Sequence, residues 1–300
     1  MNLRENVPTA RRAVLPLAVL LIFTAVGVVV AGYRENHWYA VMFTMIGVAA
    51  MASILLTRRY PRLSQSIRLI QLSALGIFFF TGLSLRLNVN FQFPQVIFDA
   101  AAGVVGGALI QLLIARAAIP LLFGNGFCSR ACWDAVIFEW TDPGWKGGRS
   151  LPVKKRSEIL AWGYLAALVL VALITAWRHN PVRHDTARLY WMIGENVLIV
   201  GFGVGFTGIL GRRAYCRLLC PFLTLSGIIS RFSVFKITPV KPGACLDCGR
   251  CNLACPMMVD VMGAVRENRR VRDRQCILCE RCADACPAGC IAIAAGNPFH

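Results

Sequence analysis

The sequence predicts a polytopic α-helical membrane protein with about six transmembrane helices and a small C-terminal α+β domain. Three observations carry that expectation. Apolar residues make up 57% of the 300 and charged residues 16%, with a mean hydropathy of +0.58, whereas soluble domains run near one quarter charged. Six runs free of Lys and Arg are long enough to cross a bilayer. None of the thirteen cysteines lies in the first 127 residues, and nine crowd into 245–290. This balance excludes a disordered chain and an ordinary soluble enzyme.

The runs cover about 13–32, 38–57, 69–85, 97–115, 159–176 and 191–210. All 32 Lys and Arg fall outside them, and their placement sets an orientation. With the N-terminus inside, fourteen basic residues fall on the inner side before residue 210, among them Arg4, Arg11, Arg12, Arg116 and Lys154–Arg156. Five (Arg34, Arg86, Arg178, Arg183, Arg188) fall outside, and thirteen follow residue 210. The net charge of +17 is therefore read as topology and not as a nucleic-acid footprint. Arg11-Arg12 before an apolar run also fits an export signal, but the run of about 20 residues exceeds a signal's apolar core, and a retained first span is expected. The apolar stretch 222–235 is shorter and contains Arg231, so it is not expected to span. Domain boundaries follow: 1–235 for the membrane part, with two C-x3-C motifs at cytoplasmic helix ends, and 236–300 for the tail.

In the tail, CLDCGRCNLACP from 245 and CILCERCADACP from 276 both read C-x2-C-x2-C-x3-C-P. That is the run of bacterial two-cluster ferredoxins, in which the fourth cysteine of each run ligates the other cluster. The expected fold is thus a two-[4Fe–4S] bacterial-ferredoxin-like α+β domain. Cys245, Cys248, Cys251 and Cys286 are assigned to one cluster, and Cys276, Cys279, Cys282 and Cys255 to the second. Zinc ribbons use two separated pairs rather than two complete runs. Disulfides do not suit the reducing side on which the topology puts the tail. Cys290 is expected to be a small buried residue beside the second cluster. About 65 residues make a marginal core, so the metal must supply much of the folding energy.

Two further pairs, Cys128/Cys132 in GNGFCSRACW and Cys216/Cys220 in GRRAYCRLLCP, form a weak internal repeat. Each has an aromatic residue, Phe127 or Tyr215, before a C-x3-C. On a continuous helix, i and i+4 share a face with Cβ atoms about 5–6 Å apart, too far for a relaxed disulfide. Three readings stand: one shared cluster or metal site, a thiol redox pair between helices, or buried structural thiols.

Together, the polytopic membrane part, the paired C-x3-C motifs and the double C-x2-C-x2-C-x3-C-P tail resemble the membrane-bound polyferredoxins of the NapH/NosR/MauN/RdxA type. The resemblance covers roughly 97–300, with Pro221 after the second pair and Trp133 after the first. It implies a multi-pass protein of the bacterial inner membrane, with both termini cytoplasmic. Its implied role is electron transfer between the quinol pool or a cytoplasmic donor and a periplasmic oxidoreductase system. The alternative it implies is a redox-active assembly, maturation or sensing factor for a periplasmic or membrane metalloenzyme. The expected partners are lipid, quinol and electron-transfer proteins, with no nucleic acid.

No His lies in an expected span: His37, His179 and His184 fall in outward loops and His300 is terminal. A bis-His haem is therefore not expected. Asp99 and Glu195 are intramembrane acids, suspects by default; they are either headgroup-level polar groups or, with His179 or His184, acceptors of protons from quinol. Both are expected near the outer face, Glu195 one turn into the sixth span. The loop 133–157, with Trp133, Phe138, Trp140, Trp145 and Lys154-Lys155-Arg156, reads as an interfacial anchor or a docking surface. Gly203, Gly205 and Gly208 spell G-x-G-x-x-G inside an apolar span, where close helix packing is the expected use. Arg250 and Arg281, each before a tail cysteine, are expected to raise cluster potentials. Beyond electron transfer, no stand-alone enzyme chemistry is expected.

Overall fold

A computed structural model describes residues 9–85, 90–141, 156–183 and 185–297. It is mostly helical, and the chain divides into two compact units, Met1–Leu75 and Gly76–His300. This division differs from the boundary at 235/236 that the sequence suggests. The tail shares a hydrophobic core with the segments before it, including Cys128 and Leu223, so it does not stand apart.

In the first unit, α1 (Thr9–Arg34) and α2 (Trp38–Arg59) form a helical hairpin. Glu35 turns the chain with φ of 52°, and the Asn36 side chain accepts from the Trp38 amide at 3.0 Å. Glycine lets the two helices approach closely. A Cβ on Gly27 would meet Phe43 Cβ at 2.7 Å, and one on Gly47 would meet Phe23 Cβ at 3.1 Å. The helix α3 (Ser64–Ile77) begins in this unit and runs on as a π-helical stretch, Phe78–Leu85.

Among the described residues, four stretches are long and apolar enough to cross a membrane: Pro16–Tyr33, Trp38–Arg59, Pro61–Gly82 and Glu158–His179. They correspond to the first, second, third and fifth expected spans. The expected fourth span, 97–115, is corrected by the structure. It is interrupted by a turn between α4 (Phe93–Ala101) and α5 (Gly107–Gln111). Gly103 adopts φ of +68° there, and the Asp99 carboxylate lies so close to Gly106 that a Cβ on it would meet Oδ2 at 2.0 Å. From α5 the chain continues through a π-helical stretch into α6 (Ile119–Phe123). The sixth run lies within α10 (Asp185–Leu210), so Glu195 is one turn into that run and ten residues into the longer helix that contains it.

The second unit also holds α9 (Arg156–His179), with outward apolar side chains such as Ile159 and Trp177. Four short helices follow the cysteine motifs: α7 (Gly126–Arg130), α8 (Trp133–Trp140), α11 (Ala214–Leu218) and α12 (Pro221–Ser230). The tail contributes β1 (Phe235–Pro239), α13 (Arg250–Ala254), α14 (Val261–Arg266), α15 (Arg281–Asp284) and β2 (Ile291–Ala295). β1 and β2 pair antiparallel, with Ile237 opposite Ile293. The tail is fastened to the helices by the Arg274–Glu158 ion pair and by Asn125, which donates to the Arg274 carbonyl at 2.8 Å. Phe123 stacks on Phe235 with centroids 5.1 Å apart. The basic run Lys154-Lys155, with Trp145, Lys146 and Arg149, lies outside the described residues, as do His184 and His300.

Candidate metal centres

The two long cysteine runs fold alike because each needs a loop that turns back on itself. In the first, Asp247 and Gly249 take φ of 50° and 70°; in the second, Leu278 and Glu280 take 50° and 63°. Left-handed backbone costs a non-glycine residue about 1–2 kcal/mol, and three of these four positions are not glycine. The short helices α13 and α15 start right after the second left-handed residue of each loop and carry Cys251 and Cys282.

One cavity is lined by Cys245, Cys248, Cys251 and Cys286 together with Met262, Val265 and Ile291. Cys286 thus arrives from the other run. Cys276, Cys279, Cys282 and Cys255 lie within electrostatic reach of one another. All thirteen cysteines are free thiols, and Cys248 is the exposed one among them. Burial and the neighbouring Cys279 push Cys255 up to about 11, while the Val259 and Met257 amides pull the other way. At Cys286, burial is outweighed by hydrogen bonds from the amides of Cys290, Ala288 and Gly289 and from the Cys290 side chain, and the thiol is lowered. Backbone N–H groups gathered on sulfur favour the anionic form that a metal requires. Among the described residues, no three His, Cys, Asp or Glu side chains converge as a single-ion site does. Cys290 requires a correction: it lines the cavity of the first set, not the second, with its sulfur 3.3 Å from that of Cys286.

The two C-x3-C pairs repeat in three dimensions. In each, the first cysteine lies in a one-turn helix, α7 or α11, and the second is extended at the start of the next helix. Cys132 has φ/ψ of −76°/124° and Cys220 −66°/112°. Cys255, which ends the first tail run, has −75°/114°. The backbone is therefore broken within each pair, and the shared helical face considered from sequence does not form. Instead the four thiols come together across the two pairs: Cys216 and Cys220 are each within electrostatic reach of Cys128 and Cys132. Burial pushes Cys132 up to about 11 and Cys220 up to about 12, against the pull of Arg116.

Arg116 is the residue that sequence reasoning passed over. It is 3% exposed, and its guanidinium lies between the rings of Phe127 and Phe222, 4.7 and 4.6 Å from their centroids. Nη1 donates to the Cys128 sulfur at 3.0 Å and Nη2 contacts that of Cys132 at 3.8 Å. A neutral thiol is a weak acceptor, and a buried guanidinium whose hydrogen-bond partners are such thiols, with the Asp134 carboxylate only within electrostatic reach, carries a heavy desolvation cost. Thiolates held by a metal would offset it. The donor set therefore fits a metal or cluster. The available sequence signal was a lone arginine closing an apolar run.

The two acids, Asp99 and Glu195, fall in two separate polar groups. Asp99 accepts from Gln95 at 2.7 Å. Glu195 accepts from Asn90 at 3.2 Å. The Gln92 amide donates to Asn90 Oδ1 at 2.9 Å, and the Gln92 side chain bonds both Asn196, at 3.0 Å, and Asp134. Burial pushes Asp134 up to about 6. A polar chain thus leads from Glu195 to the residue two places after Cys132. Of the three glycines, Gly203 packs so closely on Phe138 that a Cβ would meet Cε1 at 1.8 Å, whereas Gly205 meets nothing within 4 Å. Trp133 and Phe138 are buried and Trp140 is exposed, so the start of the loop is core rather than a free anchor. Arg281 is ion-paired with Glu139.

The family of 4Fe–4S dicluster domains matches residues 244–291, and that of 4Fe–4S binding domains matches 105–154 and 193–239. The second family spans both C-x3-C pairs. The chain is 29% identical over 171 residues to the methylamine utilization ferredoxin-type protein MauN of Paracoccus denitrificans, covering 52% of this chain and 55% of the relative. It is 31% identical over 173 residues, 52% of this chain and 48% of the relative, to YccM of Escherichia coli, whose name speaks of electron transport. These similarities support a polyferredoxin-type family for the chain.

The chain is also similar to MauN of Methylorubrum extorquens, 26% identical over 219 residues, 63% of this chain and 72% of that one. It spans about half the length of the first two relatives. No solved structure matches it. Its iron–sulfur domains are of the 4Fe–4S kind.

Proposed function

We propose that this chain is a membrane-bound iron–sulfur electron-transfer protein, linking the quinol pool or a cytoplasmic donor to a periplasmic oxidoreductase system. In this reading it lies in the bacterial inner membrane with both termini cytoplasmic. Cys245, Cys248, Cys251 and Cys286 hold one [4Fe–4S] cluster, and Cys276, Cys279, Cys282 and Cys255 hold a second. Cys128, Cys132, Cys216 and Cys220 hold a third centre. Such clusters, when bound, supply one-electron storage at potentials tuned by charge and hydrogen bonds around sulfur.

The observation that carries this reading is the buried Arg116 guanidinium aimed at Cys128 and Cys132, with Cys128 itself in a core that also contains tail cysteines. The match of a 4Fe–4S binding family across both C-x3-C pairs supports it. For proton release from quinol, Glu195 is favoured over Asp99, because its hydrogen-bonded chain leads toward the C-x3-C quartet.

The test is iron and acid-labile sulfide per chain on anaerobically purified protein, followed by EPR of the reduced sample. The reading expects about twelve irons per chain, four for each of three cubanes, falling to about eight in Cys128→Ser and Cys216→Ser. Iron unchanged in both variants removes the third centre. Zinc in place of iron, with no EPR signal, overturns electron transfer.

A further inference from the structure

Between the C-x3-C quartet and the second tail set lies a buried ion triad. Glu139 Oε1 accepts from Arg213 Nε at 3.0 Å and from Nη2 at 2.6 Å, and Oε2 accepts from Arg281. The side chains of Arg213, Glu139 and Arg281 are 1%, 2% and 13% exposed. Each arginine belongs to one cysteine set. Arg213 stands just before α11, which carries Cys216, and its Nη1 donates to the Cys128 carbonyl at 3.0 Å. Arg281 lies between Cys279 and Cys282. Arg213 is within electrostatic reach of both Cys216 and Cys279. A second clasp runs alongside, Arg130 to Glu280 at 2.6 Å, joining the helix of Cys128 to the residue after Cys279.

Stability alone is a poor reason for this arrangement. Buried ion triads are often no more stable than well-packed apolar residues of the same volume, because desolvation consumes the Coulomb gain. Arg213 also holds a left-handed backbone, φ of 47°, which costs a non-glycine residue about 1–2 kcal/mol. Backbone strain of that kind, paid at a buried charge, marks functional positions. The triad has two positive members and one negative, and it lies between two groups of thiols that become anionic when they bind metal.

We propose that the Arg213–Glu139–Arg281 triad is the junction through which the C-x3-C quartet and the second tail set are held together and their potentials set, with Glu139 as its positioning residue. The proposal rests on the electron-transfer reading above. It places the crossing between tail and quartet at Cys279–Cys282, leaving the first set, with its exposed Cys248, at the far end of the series. Glu139 does not touch a reacting atom. It fixes two guanidinium groups, and its charge offsets theirs at both thiol sets.

The experiment is an EPR-monitored redox titration of full-length, anaerobically purified protein, with iron counted on the same samples. Glu139→Gln keeps the shape and removes the negative charge, so reduction becomes easier at both neighbouring centres. The expected result is a roughly tenfold shift in their reduced-to-oxidised ratio at fixed potential, about 59 mV upward for a one-electron couple. The signal that disappears in Cys248→Ser, belonging to the first set, stays in place. Glu139→Asp, which keeps the charge, returns the shift toward the parent value. Because Glu139→Gln disturbs a buried group, Glu280→Gln is the second variant: it opens only the outer clasp and moves the second-set signal upward by less, with full iron. Full iron with no shift in either Gln variant overturns the proposal, as does an equal shift of all signals. If the parent protein holds only eight irons, the third centre fails while the triad does not: the Glu139→Gln shift of the second-set signal is still read.

Discussion

At the scale of single residues, buried charge decides most of what this molecule does. Arg116 and Arg213 are almost fully buried and face sulfur or a single carboxylate. Lys236 is a third such cation, 2% exposed, on β1. Its ammonium donates to the Arg231 carbonyl. Burial first, then the charges of Arg272 and Arg270, lower it to about 8 from 10.5. The sign follows by linkage. Below pH 8 the lysine is charged in both folded and unfolded chains, and folding bears the whole cost of burying it. Between pH 8 and 10.5 the folded protein has released a proton that the unfolded chain still holds, so stability rises with pH. Above 10.5 the penalty is gone. Lys236→Met is therefore expected to stabilise the protein at pH 7 by on the order of 1–2 kcal/mol, after the loss of its hydrogen bond to the carbonyl. Thermal unfolding of detergent-solubilised protein at pH 7 and pH 9.5 checks this. The advantage of the variant must shrink at the higher pH, and a constant gap refutes the assignment.

At the scale of elements, glycine separates contact from open space. Gly203 on α10 meets the buried ring of Phe138 on α8, which packs on Tyr215 with centroids 5.5 Å apart. Gly205, two residues on, faces nothing. Gly203→Ala is expected to force Phe138 aside and cost about 1–3 kcal/mol, lowering the midpoint of thermal unfolding. Gly205→Ala is expected to fall within about 0.5 kcal/mol of the parent. Equal effects at the two positions would sink the packing account. The same contrast explains what the sequence made legible. The glycine letters announced close packing but not which letter packs, because that depends on the ring a distant element supplies. Long apolar runs gave the α1–α2 hairpin and α9 directly. The run 97–115 misled because hydropathy measures composition and not continuity: it contains Gly103, Gly106 and an Asp99 carboxylate that fits only against a glycine. The cysteine spacing announced both tail loops. It did not announce Arg116 or Glu139, whose meaning lies in partners 12 and 142 residues away in sequence, at Cys128 and Arg281.

At the scale of the whole molecule, the question is what the metal contributes to folding. The core around the tail includes Cys251, Cys279, Cys282 and Cys290 among its buried members, with Cys245, Cys255, Cys276 and Cys286 packed against it. The cysteines are interleaved with Ile237, Met257, Val259, Val261, Val265 and Ile277 in that one core, so the core is complete only where the cysteines are held, and three non-glycine left-handed positions in the two loops work against folding. Metal-binding energy is then folding energy for this segment. The hairpin of α1 and α2 contains no cysteine and falls in the other compact unit, so it owes nothing to iron. Removing iron from the purified protein with a chelator under reducing conditions should therefore loosen one part and spare the other. Limited trypsin digestion makes the difference visible. Arg266, Arg269, Arg270 and Arg272 lie between the two tail loops, and cleavage there is expected to accelerate by at least tenfold after chelation, since local opening exposes these bonds. Cleavage after Arg34, at the turn between α1 and α2, is expected to keep its parent rate. If both sites accelerate together, iron stabilises the chain globally. If neither does, the tail folds on its apolar contacts alone and the metal adds function without structure.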